Sequence, residues 1–281
     1  LEFRRVLFRS ALVRRSRGSS LRWMQEPGST PVPSRVVSAT AAEACARVAG
    51  EIHGLLAASA RAGEPTVLGL ATGGTMVGVY SALVERLAGE PVDLSRVTTF
   101  NLDEYLGLAE GDPRSFRSFM AEHLFGPAGF APERCHFPDA ALAAEQSGLA
   151  GEAYQALIAR HGGLDLQLLG IGRNGHVAFN EPGTPEAAST RVVPLHEHTR
   201  ADAAPSFGGL EHVPTHAITM GLLEIRAARR LRLLAFGEAK AAAIHAALVA
   251  PVDPACPASL LRNHADLEVL LDGAAASALG A

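Results

Sequence analysis

From Ala41 onward the apolar positions of this chain switch repeatedly between a helical and a strand-like pattern. The alanine-rich stretch AAEACARVAGEIHGLLAASARA (41–62) is amphipathic and is closed by Gly63 and Pro65, which predicts a helix and its stop. TVLGLA (66–71) is a short continuous apolar run of strand length. It leads through TGGT (72–75) into the helical MVGVYSALVERLAG (76–89), so a strand, a glycine turn and a helix N-terminus follow one another. The unit recurs. RVTTFNLDEY (96–105) predicts a strand with Asp103 and Glu104 at its carboxyl end, followed by a helix over PRSFRSFMAEHLF (113–125) with Pro113 in its first turn. A helix over 147–163 precedes the strand LDLQLLGIG (164–172). RRLRLLAFG (229–237) is a strand before the helical EAKAAAIHAALVA (238–250), and ADLEVLLD (265–272) is a closing strand.

Strands separated by helix-length segments predict an α/β fold of three layers: a mostly parallel central sheet with helices on both faces, Rossmann-like and in one domain. A chain of 281 residues is long enough to bury a large core within one such unit. In sheets of this kind ligands collect outside the carboxyl ends of the strands. TGGT, NLDEY and GIGRNGH are therefore expected to meet at one crevice.

Composition changes the picture mainly at the N-terminus. Residues 1–35 are rich in Arg and Ser and then in Pro and Gly. Arg4, Arg5, Arg9, Arg14, Arg15 and Arg17 interrupt every apolar segment that could serve as a signal peptide. The expectation is a disordered or non-native extension over 1–35 and a catalytic domain over 36–281. No apolar run approaches the roughly 20 residues that span a bilayer, and a net charge of -4 supplies no basic field for nucleic acid. Neither a membrane nor a nucleic acid is expected as a partner. Cys45, Cys135 and Cys256 are widely spaced, with no CxxC pair, so neither a disulfide framework nor a zinc site is indicated and a cytoplasmic setting fits.

Four groups of residues could carry chemistry. Thr72, Gly73, Gly74 and Thr75 offer hydroxyls and free amides where a helix dipole favours an anion, which suits a phosphate; a plain tight turn reads the same way. Lys240 is the only lysine among 25 basic residues and follows a strand end, where its ammonium could meet a phosphate as a point charge. Asp103 and Glu104 end a strand, where a carboxylate shielded from water can shuttle a proton near neutral pH, although either could equally cap a helix. His176 and Glu181 form the more specific signal. Gly172 and Gly175 let the backbone turn, and Glu181 could accept an N–H from the imidazole and raise its basicity. Asn174, beside them, cannot ionise.

The ordered motifs LGLATGGT, TTFNLDEYLGL, DPRSFRSFM, LLGIGRNGHVAFNEPGT, TRVVPL, HTRAD, AITMG and PAS resemble those of the glucosamine-6-phosphate deaminases, also called isomerases, over about Val36 to the C-terminus. Related 6-phosphogluconolactonases continue differently where this chain has AFNEP. The resemblance implies a cofactor-free and metal-free reaction in amino-sugar catabolism: glucosamine 6-phosphate and water give fructose 6-phosphate and ammonia. It assigns ring opening to His176, tuning of His176 to Glu181, with Asn174 alongside, and proton transfer between the second and first carbons to Asp103. Thr72, Gly73, Gly74, Thr75 and Lys240 would hold the phosphate. The expected partner is a small-molecule sugar phosphate, and a homo-oligomer is left open.

Asn174 stands where many members carry an aspartate, and the asparagine is expected to orient the imidazole by hydrogen bonding without charge. Pro205 stands where the family supplies an arginine to the phosphate, a loss of roughly 1.5 to 3 kcal/mol if nothing replaces it; Arg200 is a candidate replacement. Arg191 matches a residue of the effector site of members activated by an acetylated sugar phosphate, but Val193 replaces a lysine there, so no such activation is expected. A non-catalytic sugar-phosphate sensor and a sugar-lactone hydrolase are the competing readings.

Overall fold

A computed structural model of the chain describes residues 34–38 and 40–280; the stretch 1–33, most of the expected extension, lies outside the described residues. The first elements are β1 (Ser34–Ser38), α1 (Ala41–Ala62), β2 (Thr66–Leu70), α2 (Gly74–Gly89), β3 (Val97–Asn101) and β4 (Asp103–Tyr105). Then come α3 (Phe116–Met120), which passes through a π-helical turn (Ala121–Phe125) into α4 (Gly126–Ala128), β5 (Cys135–His136), α5 (Ala140–Glu145) and α6 (Ser147–Arg160). β6 (Leu166–Leu169), β7 (Arg191–Pro194), α7 (Glu197–Phe207), β8 (His216–Thr219) and α8 (Leu222–Arg226) follow, and β9 (Leu231–Ala235), α9 (Ala241–Leu248) and β10 (Leu267–Asp272) complete the order.

The expected α/β architecture is present. Among the described residues one sheet has seven strands in the order β1-β10-β9-β6-β2-β3-β5, every neighbouring pair parallel. β2, β3, β6 and β9 are buried at every position, as strands covered on both faces must be. β2 and β6 lie side by side at the centre, and the chain builds outward from them in opposite directions, which makes their carboxyl ends a topological switch point. α1 illustrates how sequence sets an element. Thr40 and Glu43 close a reciprocal capping box at its start, Gly63 ends it, and Ala44, Cys45, Val48, Ile52 and Leu56 form its buried stripe. Burying such an aliphatic side chain fully is worth about 1.5 to 3 kcal/mol. Nearby, Arg232 is buried at the sheet with two bonds of 2.7 Å to Glu51 on α1 and one of 2.9 Å to Asp266.

Two expectations are corrected. The run 96–105 is not one strand: it breaks at Leu102, leaving β3 in the parallel sheet and β4 in a separate antiparallel sheet of order β4-β8-β7. The helix expected over 113–125 begins at Phe116. Ser115 caps it by accepting from the Ser118 amide, and Pro113 lies outside. The small sheet was not foreseen. Tyr105, Val193 and Ala217 belong to an apolar cluster with Phe179 and Phe207, while Ile218 packs with Ala143 of α5 and Ala150 of α6. No helix among the described residues is long and apolar enough to cross a membrane.

α6 reaches the small sheet by close backbone approach at Gly151, where a Cβ would come within 2.2 Å of the Thr190 carbonyl oxygen. Gly151→Ala therefore lowers stability by about 1 to 3 kcal/mol through overpacking, against its helix propensity. Gly148→Ala in the same helix, where nothing lies within 4 Å, is neutral or gains up to about 1 kcal/mol. Urea unfolding of both variants checks the contrast, and equal effects would remove the close approach as the cause.

Candidate active site

A cavity of about 650 Å3 opens at the carboxyl ends of β2, β3, β6 and β9. At the end of β2 the chain turns through Gly73, whose φ of +104° suits glycine and few other residues, into α2. No side chain caps α2, so its first amides face the cavity together with Thr72, Gly74 and Thr75. The buried Tyr80 hydroxyl donates to the Ala71 carbonyl at 2.5 Å and pins this turn from below. Lys240 lines the same cavity from the turn before α9 and donates Nζ to the Ile171 carbonyl at 2.8 Å. Burial lowers the Lys240 pKa, Asp202 acting against that and Arg173 with it.

Asp103 opens β4 and lies on the cavity wall with only 6% of its surface exposed. Burial, and then the neighbouring charge of Glu104, push its carboxyl pKa well above the ordinary aspartate value. Glu104 has the other role open to it in the sequence. Its carboxylate accepts the amides of Phe116 and Arg117 at 3.0 Å each and of Tyr105 at 2.9 Å, so it caps α3 and ties that helix to β4.

His176 sits on a tight loop after β6. The Gly172 amide donates to the His176 carbonyl at 2.9 Å, and a Cβ on Gly172 would come within 2.2 Å of the imidazole ring that lies over it. The next residue but one, Ala178, holds a positive φ of 53°, a strained conformation for alanine at the cavity edge. Glu181 stands behind the ring, its Oε2 3.5 Å from His176 Nδ1, an ion-pair distance without an aligned hydrogen bond. Burial opposes the Glu181 charge. The His176 ring, the Thr199 hydroxyl and the Asn174 amide outweigh it and hold the carboxyl at about 2.

Asn174 does not orient the imidazole as expected. Its Nδ2 donates to Glu181 Oε2 at 2.8 Å and its Oδ1 accepts the His176 backbone amide at 3.2 Å, so it positions the glutamate and the loop. Of the residues expected at the site, Thr72, Gly73, Gly74, Thr75, Asp103, His176 and Lys240 line the large cavity, and Asn174 and Glu181 stand behind His176. Arg200 does not replace the missing arginine: its guanidinium donates to the Leu210 and Val213 carbonyls at 3.0 Å. Pro205 is exposed on α7, off the cavity wall. Arg191 is half-buried and occupied by Asn180, Ser189 and Thr184.

Sequence reasoning overlooked the wall that α7 supplies. Thr199, Asp202, Ala203 and Ser206 recur at helical spacing and face the cavity. That periodicity was the available signal, and Pro205 within it masked the helix. Phe116, Phe179 and Phe207 also close the cavity around Tyr105, with ring centroids 4.7, 5.6 and 5.2 Å from it.

The family of glucosamine-6-phosphate isomerases and 6-phosphogluconolactonases matches residues 39–270. The chain belongs to this family. Among its members, the glucosamine-6-phosphate deaminase of Rhodopirellula baltica is 47% identical over 236 residues, which cover 84% of this chain and 92% of the relative. That of Beutenbergia cavernae is 44% identical over 245 residues, covering 87% and 92%. The solved structure of a monomeric glucosamine-6-phosphate deaminase superposes with a TM-score of 0.81 at 37% identity, covering 87% of this chain and 99% of that one. The 6-phosphogluconolactonase of Trypanosoma cruzi has a TM-score of 0.73 at 19% identity, covering 91% and 100%, a likeness of fold alone.

Asp103 and Glu181 are displaced in opposite directions, and each displacement has a measurable consequence. A buried acid with a raised pKa stabilises the fold while protonated, and that contribution is lost as pH rises through the raised value. Asp103→Asn therefore gains stability over wild type increasingly as pH rises above the ordinary aspartate value of 3.8, read by urea midpoints at successive pH values; a constant difference would contradict it. Glu181 has the opposite sign: its contribution is present above the ordinary glutamate value of 4.5 and is lost as pH falls toward about 2. Asn174→Asp replaces a donor with a like charge. It moves the acid edge of the stability curve to higher pH, and an unmoved edge would show that the 2.8 Å contact carries no charge coupling.

Proposed function

We propose that this chain converts glucosamine 6-phosphate and water to fructose 6-phosphate and ammonia. The observation that carries the reading is a dry carboxyl, Asp103, on the wall of the cavity that also holds His176 and the phosphate-type cradle of α2 and Lys240. The membership and the deaminase relatives support it. In this route the α2 amides, the Thr72 and Thr75 hydroxyls and Lys240 hold the phosphate. His176, backed by the anion of Glu181, passes the proton of the anomeric hydroxyl to the ring oxygen, so the bond between the first carbon and the ring oxygen breaks and the open-chain aldehyde forms. Asp103 then takes the proton from the second carbon, leaving an enolamine, and returns one to the first carbon. Water adds to the resulting imine, and ammonia leaves. No cofactor is required by this route, because the substrate's own nitrogen and carbonyl stabilise the charge.

A base of raised pKa must lose its proton to act, so activity through Asp103 falls below a pH higher than ordinary carboxylates would set. We propose a role in amino-sugar catabolism on the strength of the deaminase relatives, and a cytoplasmic setting, which the free thiols of Cys45, Cys135 and Cys256 suit.

The test is ammonia release from glucosamine 6-phosphate by the full chain. Asp103→Asn and His176→Gln are each expected to lose on the order of 10²- to 10⁴-fold in kcat, the range of a general acid or base. A wild type that binds the sugar phosphate and releases no ammonia would favour the sensor reading instead. N-acetylglucosamine 6-phosphate is expected to leave the rate curve unchanged in shape, because Arg191 is internally occupied and Val193 packs in the apolar cluster of the small sheet. A sigmoidal-to-hyperbolic change would refute this.

A further inference from the structure

The proposed phosphate end of the cavity is short of positive charge. A sugar phosphate is close to a dianion at neutral pH, and Lys240 supplies at most one full charge while the α2 amides supply only dipoles. The same cavity carries an acid: Asp202 of α7 lines it together with Lys240. Asp202 also lines a second, adjoining cavity of about 340 Å3 with Arg173, His176, His198 and Thr199. Arg173 follows Ile171 by two residues, and Ile171 is the residue whose carbonyl takes the Lys240 ammonium.

Arg173 and Asp202 are paired through two guanidinium nitrogens, Nε at 3.3 Å and Nη2 more closely. Both side chains are about half exposed, 58% and 47%. An exposed pair of this kind is worth little and is readily exchanged. A phosphate offers the same guanidinium two charge-assisted bonds in its fork geometry. Lys240, Asp202 and Arg173 also lie within electrostatic reach of one another.

The other basic residues near the cavity are engaged. Arg114 lines it, but its Nε and Nη2 bond Asp112 at 2.8 and 2.6 Å, and that carboxylate is itself largely buried. The guanidinium lies 5.2 Å from the Phe207 ring. Arg200 is held by two carbonyls.

We infer that Arg173 is the second cation for the substrate's phosphate and that Asp202 holds it in reserve, releasing it when the phosphate seats beside Lys240. Asp202 then becomes a specificity element: its charge weakens capture of any anion that cannot draw Arg173 away. This rests on the phosphate cradle proposed above, and deepens it by naming a ligand and its competitor.

Calorimetric titration of inorganic phosphate into the full chain, together with KM for glucosamine 6-phosphate, tests it. Arg173→Gln should weaken phosphate binding and raise KM in the same proportion, on the order of tenfold or more, with the loss in KM exceeding any in kcat. Arg173→Lys should recover part of both. Asp202→Asn should tighten phosphate and lower KM by up to about fivefold, because it removes the competing acid. Phosphate affinity in Arg173→Gln equal to wild type overturns the inference, as does Asp202→Asn weakening phosphate, or Arg114→Gln carrying the loss in place of Arg173→Gln. Ammonia release is scored separately. A wild type that binds phosphate through Arg173 and releases no ammonia sinks the deaminase reading and leaves this inference standing.

Discussion

Leu102, between β3 and β4, is the joint between the two sheets. Its amide donates to the Leu70 carbonyl at 3.0 Å, and its carbonyl accepts the Met220 amide at 2.6 Å. A buried backbone must satisfy both groups, and here one is satisfied by the parallel sheet and the other by the segment that follows β8. The residue after this joint is Asp103. Its place at the cavity wall is thus a property of how the two sheets meet, and its dryness follows from being clamped between them. Glu104 adds the third anchor by taking the first amides of α3, which sets Phe116 against Tyr105 and closes the aromatic side of the cavity.

The two carboxylates of the site are held in opposite conditions by what surrounds them. Asp103 has burial and a like charge beside it, while Glu181 has two donors and an imidazole. One thereby keeps its proton to higher pH than an ordinary aspartate and the other is held as an anion, a difference set by environment rather than residue type. The asparagine at 174 serves that difference. It supplies an N–H to Glu181 where a carboxylate would repel it.

Much of this was legible in the chain. The strand-turn-helix unit at TGGT and the strand with its glycine turn at GIGRNGH carry their own local signals, and the α1 boundaries are written in Thr40, Glu43 and Gly63. What was not legible depends on tertiary context. Nothing between Val97 and Tyr105 marks a break, because no glycine or proline interrupts the run and the division comes from where Leu70 and Met220 lie. β4 and β7 are three and four residues long, too short for alternation to announce them. α7 carries a proline in its interior and a mixed face, so the part played by Thr199 behind Glu181 emerges only in three dimensions.

The chain's avoidance of lysine leaves one side-chain amine, and the fold sets it on the wall of the large cavity with a pKa lowered by burial. A larger share of Lys240 is therefore unprotonated, and nucleophilic, than an ordinary surface lysine would offer. Reagents selective for amines meet a single lysine side chain in the whole sequence, on the wall that Asp103 and His176 also line. The composition has in effect made the cavity chemically addressable at one point.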